Sequence, residues 1–297
     1  MFWIGVSIAS ATAGFVALFG VPTEEGRATT GINPIMFGDF SLIYASLSGV
    51  ALHYFWNKNK WLASFSAISS ILGVTAVYFS YTRGAWVVLP ILSLLLLIPI
   101  KHKLNLTRLV SGFMFVLIVV VTMVAIPETG VLHTIERTFA AIQGYFSGQV
   151  NSSSGMRLEM WKASLDAWAT SPVIGLGQGC YLEFVSQGAA DNHYSKYISN
   201  FAHSHNDIFF TMASRGLVGL ILFIGLFLVP AIYAFDLLQK KVASIQATSV
   251  LIVVVGYLCC GLTESLFIRS QAIGVFVGIT SICLFYMSHS MQNEKTE

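Results

Sequence analysis

Five consecutive residues, His203-Ser204-His205-Asn206-Asp207, set two imidazoles, an amide and a carboxylate where a long polar segment meets a hydrophobic run. Imidazole titrates near neutrality, so His205 can accept a proton from an attacking hydroxyl or hydrogen-bond an anion. Asn206 either orients His205 or caps the helix that follows, and Asn and Asp favour helix starts. His203 reads as a hydrogen-bonding neighbour more than as a catalytic group. A zinc site could draw on His203, His205, Asp191, His193 and Asp207, since imidazole and carboxylate ligate zinc. The His spacing of i and i+4 that helical zinc sites use is absent, and so are structural Cys patterns; the expectation is therefore no metal.

A second set of candidates is arginine, whose planar fork of donors suits carboxylate and phosphate oxygens. Arg83 lies in a very short turn, Tyr81-Thr82-Arg83-Gly84-Ala85, between apolar runs. Arg269 is similarly placed, with Glu264 five residues earlier as a partner. Ionisable groups at such depth are costly and are usually functional or paired. Arg27, Arg83 and Arg269 each also have a plainer reading, as snorkelling side chains or members of structural ion pairs.

The elements that must position these residues are set by composition. Hydrophobic residues are 55% of the chain and charged residues 10%, against roughly 25% in a soluble domain. About eight runs approach or exceed the ~20 residues needed to cross a bilayer: 2–19, 35–56, 61–80, 84–100, 108–127, 207–234, 244–263 and 270–288. Continuous apolar runs of this length specify helices, because a barrel would show short alternating segments. The expectation is an all-α, polytopic membrane protein in three parts. Residues 1–127 carry helices one to five, 128–204 form a large outer loop with an amphipathic helix, and 205–297 carry helices six to eight and a short tail.

Numbering the loops alternately separates the cations. One side holds Lys58, Lys60, Lys101, Lys103, Arg108, Lys240, Lys241 and Lys295; the other holds Arg27, Arg83, Arg137, Arg157, Lys162, Lys196, Arg215 and Arg269. The counts are equal, but the lysine side has the short loops on which the positive-inside rule operates. Lysines therefore mark the cytoplasm, and the arginines and histidines face outward. Functional charge gathered at one boundary is unlike a transporter or flippase, which would hold it near the midplane. A purely structural subunit gives no reason for it.

Within the outer segment, Met156–Trp168 reads as a helix ended by Ser171-Pro172, with Trp161, Leu165 and Trp168 on one face and Arg157 at its start. It is expected to lie on the membrane surface, aromatic side toward lipid or the bundle. Gly175-Leu176-Gly177-Gln178-Gly179 is better explained by loop geometry than by phosphate binding. Cys259, Cys260 and Cys283 fall in apolar runs and Cys180 stands alone in the outer segment, so no disulfide framework is expected. The N-terminus Met1-Phe2-Trp3-Ile4 lacks the basic region of a cleavable signal and reads as a span that stays.

His205-Asn206, nine residues, Gly216, two residues and Gly219 resemble the signature of the O-antigen ligase and polymerase superfamily. Thr82-Arg83, Gly155-Met156-Arg157-Leu158 and Pro172-Val173-Ile174-Gly175-Leu176-Gly177 agree in order. Arg27-Ala28-Thr29-Thr30-Gly31-Ile32-Asn33 leading to Phe37-Gly38 is similar to the family's upstream outer loop. Members typically carry more spans, so the resemblance implies a chain lacking N-terminal helices, either a fragment or a short member.

The resemblance further implies a GT-C-like glycosyltransferase of the bacterial inner membrane with its site facing the periplasm. The donor would be a glycan on polyprenyl diphosphate and the acceptor lipid A-core or another glycolipid, with membrane lipids around it and no nucleic acid. An activated donor needs no cofactor. Arg83 and Arg157 would hold the diphosphate, with Arg27 as a third group. His205 would take the proton or bind phosphate, and Asn206, His203 and Arg269 complete the candidate substrate contacts. A polymerase of the same superfamily is the alternative activity.

Overall fold

A computed structural model of the protein describes residues 1–97, 114 and 131–296, and every regular element among them is helical. The described α-helices are α1 (Phe2–Phe19), α2 (Pro34–Phe55), α3 (Lys60–Phe79), α4 (Arg83–Leu95), α5 (Val131–Phe146), α6 (Ser153–Thr170), α7 (Tyr181–Ala190), α8 (Asp207–Lys240), α9 (Ser244–Gly261) and α10 (Ser270–Thr296). Six of them are long and apolar enough to cross a membrane: α1, α2, α3, α8, α9 and the Ser270–Met291 portion of α10. The chain is a polytopic helical membrane protein. Where the sequence predicts a span over 84–100, α4 ends at Leu95; apart from Met114, the span predicted over 108–127 lies outside the described residues.

The chain forms two compact units, Met1–Val116 with Leu228–Cys260 and Ser270–Glu297, and Leu117–Phe227 with Gly261–Arg269. In the first, α1, α2 and α3 pack through small and hydroxyl side chains. Ser48 donates to the Ser66 carbonyl (2.9 Å) with its Oγ 3.0 Å from Ser7 Oγ, and Ser10 donates to the Ser69 carbonyl (2.6 Å). A Cβ on Gly73 would meet Ser10 Oγ at 2.3 Å. In lipid the apolar surface gives little drive for helices to associate, so close approach and hydroxyl bonds between them carry the packing.

The second unit has an apolar core of Met160, Ala163 and Ala167 from α6, Tyr181 and Val185 from α7, Tyr194, Ile198, and Phe210 and Ala213 from α8. Helix α6 begins at Ser153, three residues before the predicted start, because Ser152 caps it by accepting from Gly155 N at 3.0 Å. Glu159 is buried and ties the unit together. It accepts from Tyr145 Oη at 2.9 Å and from Ser195 N at 3.1 Å. Trp161 leaves the predicted aromatic face: its ring stacks on Phe209, and its indole N–H donates to the Ser204 carbonyl at 3.2 Å. Helix α6 thereby braces the segment that carries both histidines.

Candidate functional site

Residues 203–209 are held from three directions. Ser204 and Asn206 are buried, and Ser204 Oγ donates to the Asn206 carbonyl at 3.0 Å. Asn206 N donates to Ser265 Oγ (3.1 Å), and its side-chain amide donates to the Leu262 carbonyl (3.0 Å). Its Oδ1 accepts from Ile208 N (2.9 Å) and Phe209 N (3.1 Å), so of the two roles open to it the side chain takes the cap. Asp207 reaches across to accept from Leu266 N (3.1 Å) and Phe267 N (3.0 Å). These bonds clamp the start of α8 to the 262–267 loop.

Between two buried neighbours, His205 adopts a left-handed backbone with φ 49°. That conformation costs an L residue about 1–2 kcal/mol, and here the flanking bonds impose it. It turns the ring against Phe201 (centroids 5.6 Å apart) and His203 (4.3 Å), with Nδ1 3.0 Å from Glu264 Oε2. Glu264 is fully buried. Burial alone would raise its pKa; the His205 hydrogen bond, the charges of His205 and His203, and the Ser265 N–H outweigh it and hold the carboxyl below its ordinary value. Its counterpart is an imidazole that donates from Nδ1 and keeps Nε2 for chemistry.

His203 differs. Burial, the charge of His205 and that of Arg269, opposed by Glu264, depress its pKa to about 4, so at neutral pH it is uncharged. Its 3.9 Å approach to Glu264 is accordingly not an ion pair at neutrality. Sequence proximity suggests Glu264 as the partner of Arg269; the carboxylate pairs with His205, 59 residues away, instead. Arg269 is left with a buried Nε that no group among the described residues accepts from. His203, His205 and Glu264 have ligand atoms within 4.8 Å of one another, a set that could hold a metal ion. Of the other zinc candidates, Asp207 is committed to backbone N–H groups and His193 lies 3.5 Å from Asp166.

About two turns beyond the clamped segment, α8 is broken at Gly216, whose φ 62° and ψ −160° suit glycine alone. The break frees the Ala213 and Ser214 carbonyls, which accept from Leu176 N and Gly177 N, both at 2.9 Å. It also frees Leu217 N and Val218 N, which donate to the Pro172 (2.8 Å) and Val173 (3.1 Å) carbonyls. Each backbone bond the helix loses is replaced by one to the 172–177 segment, as apolar surroundings require. A Cβ on Gly216 would sit 2.4 Å from Val173 C, and one on Gly175 2.4 Å from Arg215 N. Gly216 and Gly175, one from each motif, are required by this contact.

In the other unit, Arg83 is the exposed first residue of α4. The turn before it is tight: Tyr81 has φ 51°, and Thr82 Oγ1 donates to the Pro34 carbonyl at 3.1 Å. Gly38 is required there, since a Cβ would lie 2.4 Å from both Ser80 Oγ and Thr82 Oγ1. Arg27 Nε donates to the Ser80 carbonyl at 2.9 Å. Burial lowers the Arg27 pKa, Glu25 opposes this and Arg83 adds to it, which puts the two arginines in electrostatic reach of one another. They stand beside a helix N-terminus, where unpaired N–H groups favour anions. Arg157 lies half-buried in the first turns of α6, in the same unit as His205.

A family model described as O-antigen ligase matches residues 68–224, slightly more than half of the chain. The chain belongs to the O-antigen ligase family. It is also 27% identical over 201 residues to an uncharacterized protein of Haemophilus influenzae, an alignment covering 67% of this chain and 50% of that protein. The chain thus spans about half the length of this relative. The O-antigen ligase match takes in Arg83, Arg157, His203, His205, Asn206, Gly216 and Gly219, and it ends before Glu264 and Arg269. Glu264 is the residue that sequence reasoning misassigned. The available signal was a lone carboxylate in a short loop between spans, which marks a buried charge without naming its partner.

Proposed function

We propose that the protein is a membrane glycosyltransferase that moves an O-antigen glycan from polyprenyl diphosphate to lipid A-core at the periplasmic face of the bacterial inner membrane. The observation that carries the reading is the His205 Nδ1–Glu264 bond of 3.0 Å inside a clamped, left-handed loop, in a chain of the O-antigen ligase family. The acceptor hydroxyl attacks the anomeric carbon, and the bond from that carbon to the phosphate oxygen breaks. The diphosphate leaves with the electron pair, the configuration inverts, and the hydroxyl proton passes to His205 Nε2. Glu264 stabilises the resulting imidazolium and fixes its tautomer.

Arg83 at the N-terminus of α4 and Arg157 hold the diphosphate, with Arg27 beside Arg83 as a third group. Arg269, whose Nε has no acceptor among the described residues, adds positive charge for the donor. Guanidinium forks supply the charge stabilisation that a leaving diphosphate needs, so the reaction requires no metal. Asn206 shapes the site through its cap, its Oδ1 accepting from Ile208 N and Phe209 N.

The decisive experiment uses the full-length protein in a strain deleted for its gene. Loss of glycan on lipid A-core, with polymerised carrier-linked glycan retained, supports ligation; loss of polymerisation itself assigns the chain to the polymerase reaction. His205→Ala should fail to complement while remaining inserted, and His203→Ala should lose less. Arg83→Lys should fail substantially, because a point charge does not reproduce a bidentate fork. Full activity of both His205→Ala and Arg83→Lys would remove this mechanism.

A further inference from the structure

His203 Nδ1 accepts from the backbone N–H of His205 at 3.4 Å, which makes it the unprotonated ring nitrogen. It faces Glu264 Oε1 across 3.9 Å with no hydrogen between them. Two acceptor atoms directed at one another across such a gap leave room for a cation, not a proton. On the other carboxylate oxygen, His205 Nδ1 lies at 3.0 Å. Bonds of about 2.0–2.2 Å at tetrahedral angles would place such ligand atoms roughly 3.4 Å apart, between these two observed spacings. Two imidazoles and one carboxylate also form a donor set that zinc takes elsewhere, with a fourth position left open.

We propose that His203, His205 and Glu264 form a binding site for a zinc-class divalent transition ion, and that its occupation inhibits the protein. Coordination through Nδ1 of His205 replaces the proton now shared with Glu264. That proton moves to Nε2, so the ring nitrogen that would accept the hydroxyl proton becomes a donor. The carboxylate is drawn onto the ion at the same time and no longer supports an imidazolium. The inhibitory half of the proposal rests on the transfer role of His205 given above; the binding half does not.

The test uses the whole protein purified through a histidine-free tag, with zinc buffered by a competing chromogenic chelator. One equivalent of zinc should bind to wild type, and His203→Ala and Glu264→Gln should each weaken it by about tenfold or more. Transfer, read for each variant against its own metal-free rate, should be inhibited by zinc in wild type and restored by chelator. His203→Ala should need about tenfold more zinc for the same inhibition. Equal zinc affinity in wild type and both variants overturns the site. Site-dependent zinc binding without inhibition of an active protein keeps the site and overturns the tautomer argument. Binding with no transfer under any condition counts against the transferase reading alone.

Discussion

Replacing Glu264 with Gln tests whether the carboxylate acts through its charge on His205. The amide is the same size and its oxygen can still accept from Nδ1, while its NH2 would face the unprotonated Nδ1 of His203 across the present 3.9 Å gap. Geometry is therefore kept and the negative charge removed. A hydrogen bond to a charged group contributes about 1.5–3 kcal/mol, which converts to a roughly 10- to 150-fold loss in kcat if it is made mainly to the imidazolium. Coulomb attraction between unit charges 3.0 Å apart at an effective dielectric of about 20 sets a ceiling of about 5.5 kcal/mol, so a loss far above ten-thousandfold would signal misfolding instead. The assay is transfer in detergent or vesicles, with KM for the carrier-linked donor measured alongside kcat. KM should change little on the proposed mechanism, in which the arginines and not Glu264 hold the diphosphate. The discriminating measurement is the double variant: in a His205→Ala background, Glu264→Gln should cost almost nothing further, since its effect passes through the missing ring. A full wild-type rate for Glu264→Gln, or an equal cost with and without His205, would refute the positioning role.

Gly216→Ala should destabilise the purified protein by about 3 kcal/mol or more, since glycine-only backbone strain adds to a Cβ 2.4 Å from Val173 C; Gly225→Ala, with nothing within 4 Å, should leave thermal unfolding unchanged or slightly raised. Transfer by purified protein should continue undiminished in excess chelator, and activity that chelator abolishes and a divalent ion restores would replace the metal-free mechanism. With Cys180 substituted to clear the exposed native thiol, Ser153→Cys should react with a membrane-impermeant reagent in outer-membrane-permeabilised cells and Lys58→Cys should not; the reverse pattern would invert the orientation.

How much of this was legible in the chain depends on the range of the interaction. Apolar length picks out the six helices long enough to span but also predicts one over 84–100, where α4 ends at Leu95. Asn206 announces a helix start because a cap bonds within three residues of itself, whereas the Ser152 cap lies ahead of the predicted start at Met156. The site is another matter. Its carboxylate meets its imidazole across 59 residues, and no periodicity or spacing encodes that distance; the nearer Arg269 is a natural but mistaken partner. The Gly216 break is legible only as a motif, because its cause is the approach of a second segment whose own glycine, Gly175, reads as ordinary loop chemistry.

Helix α6 shows why even a well-marked helix misled about its packing. Hydropathy singles out Trp161, Leu165 and Trp168 as its contact face. The face that packs is Gly155, Glu159, Met160, Ala163, Ser164 and Ala167, mostly small or polar residues. Small side chains bury little area but let neighbouring backbones approach, and the approach is what brings Tyr181 Oη within 3.0 Å of Ser164 Oγ. Leu165 stays exposed, Trp168 donates to its local Pro172 carbonyl, and Trp161 is free to turn its ring onto Phe209. Because the small-residue face fixes α6 against α7 and the start of α8, the large aromatic can be spent on the histidine segment. Trp161 thus reports where the candidate site lies, not where the core is.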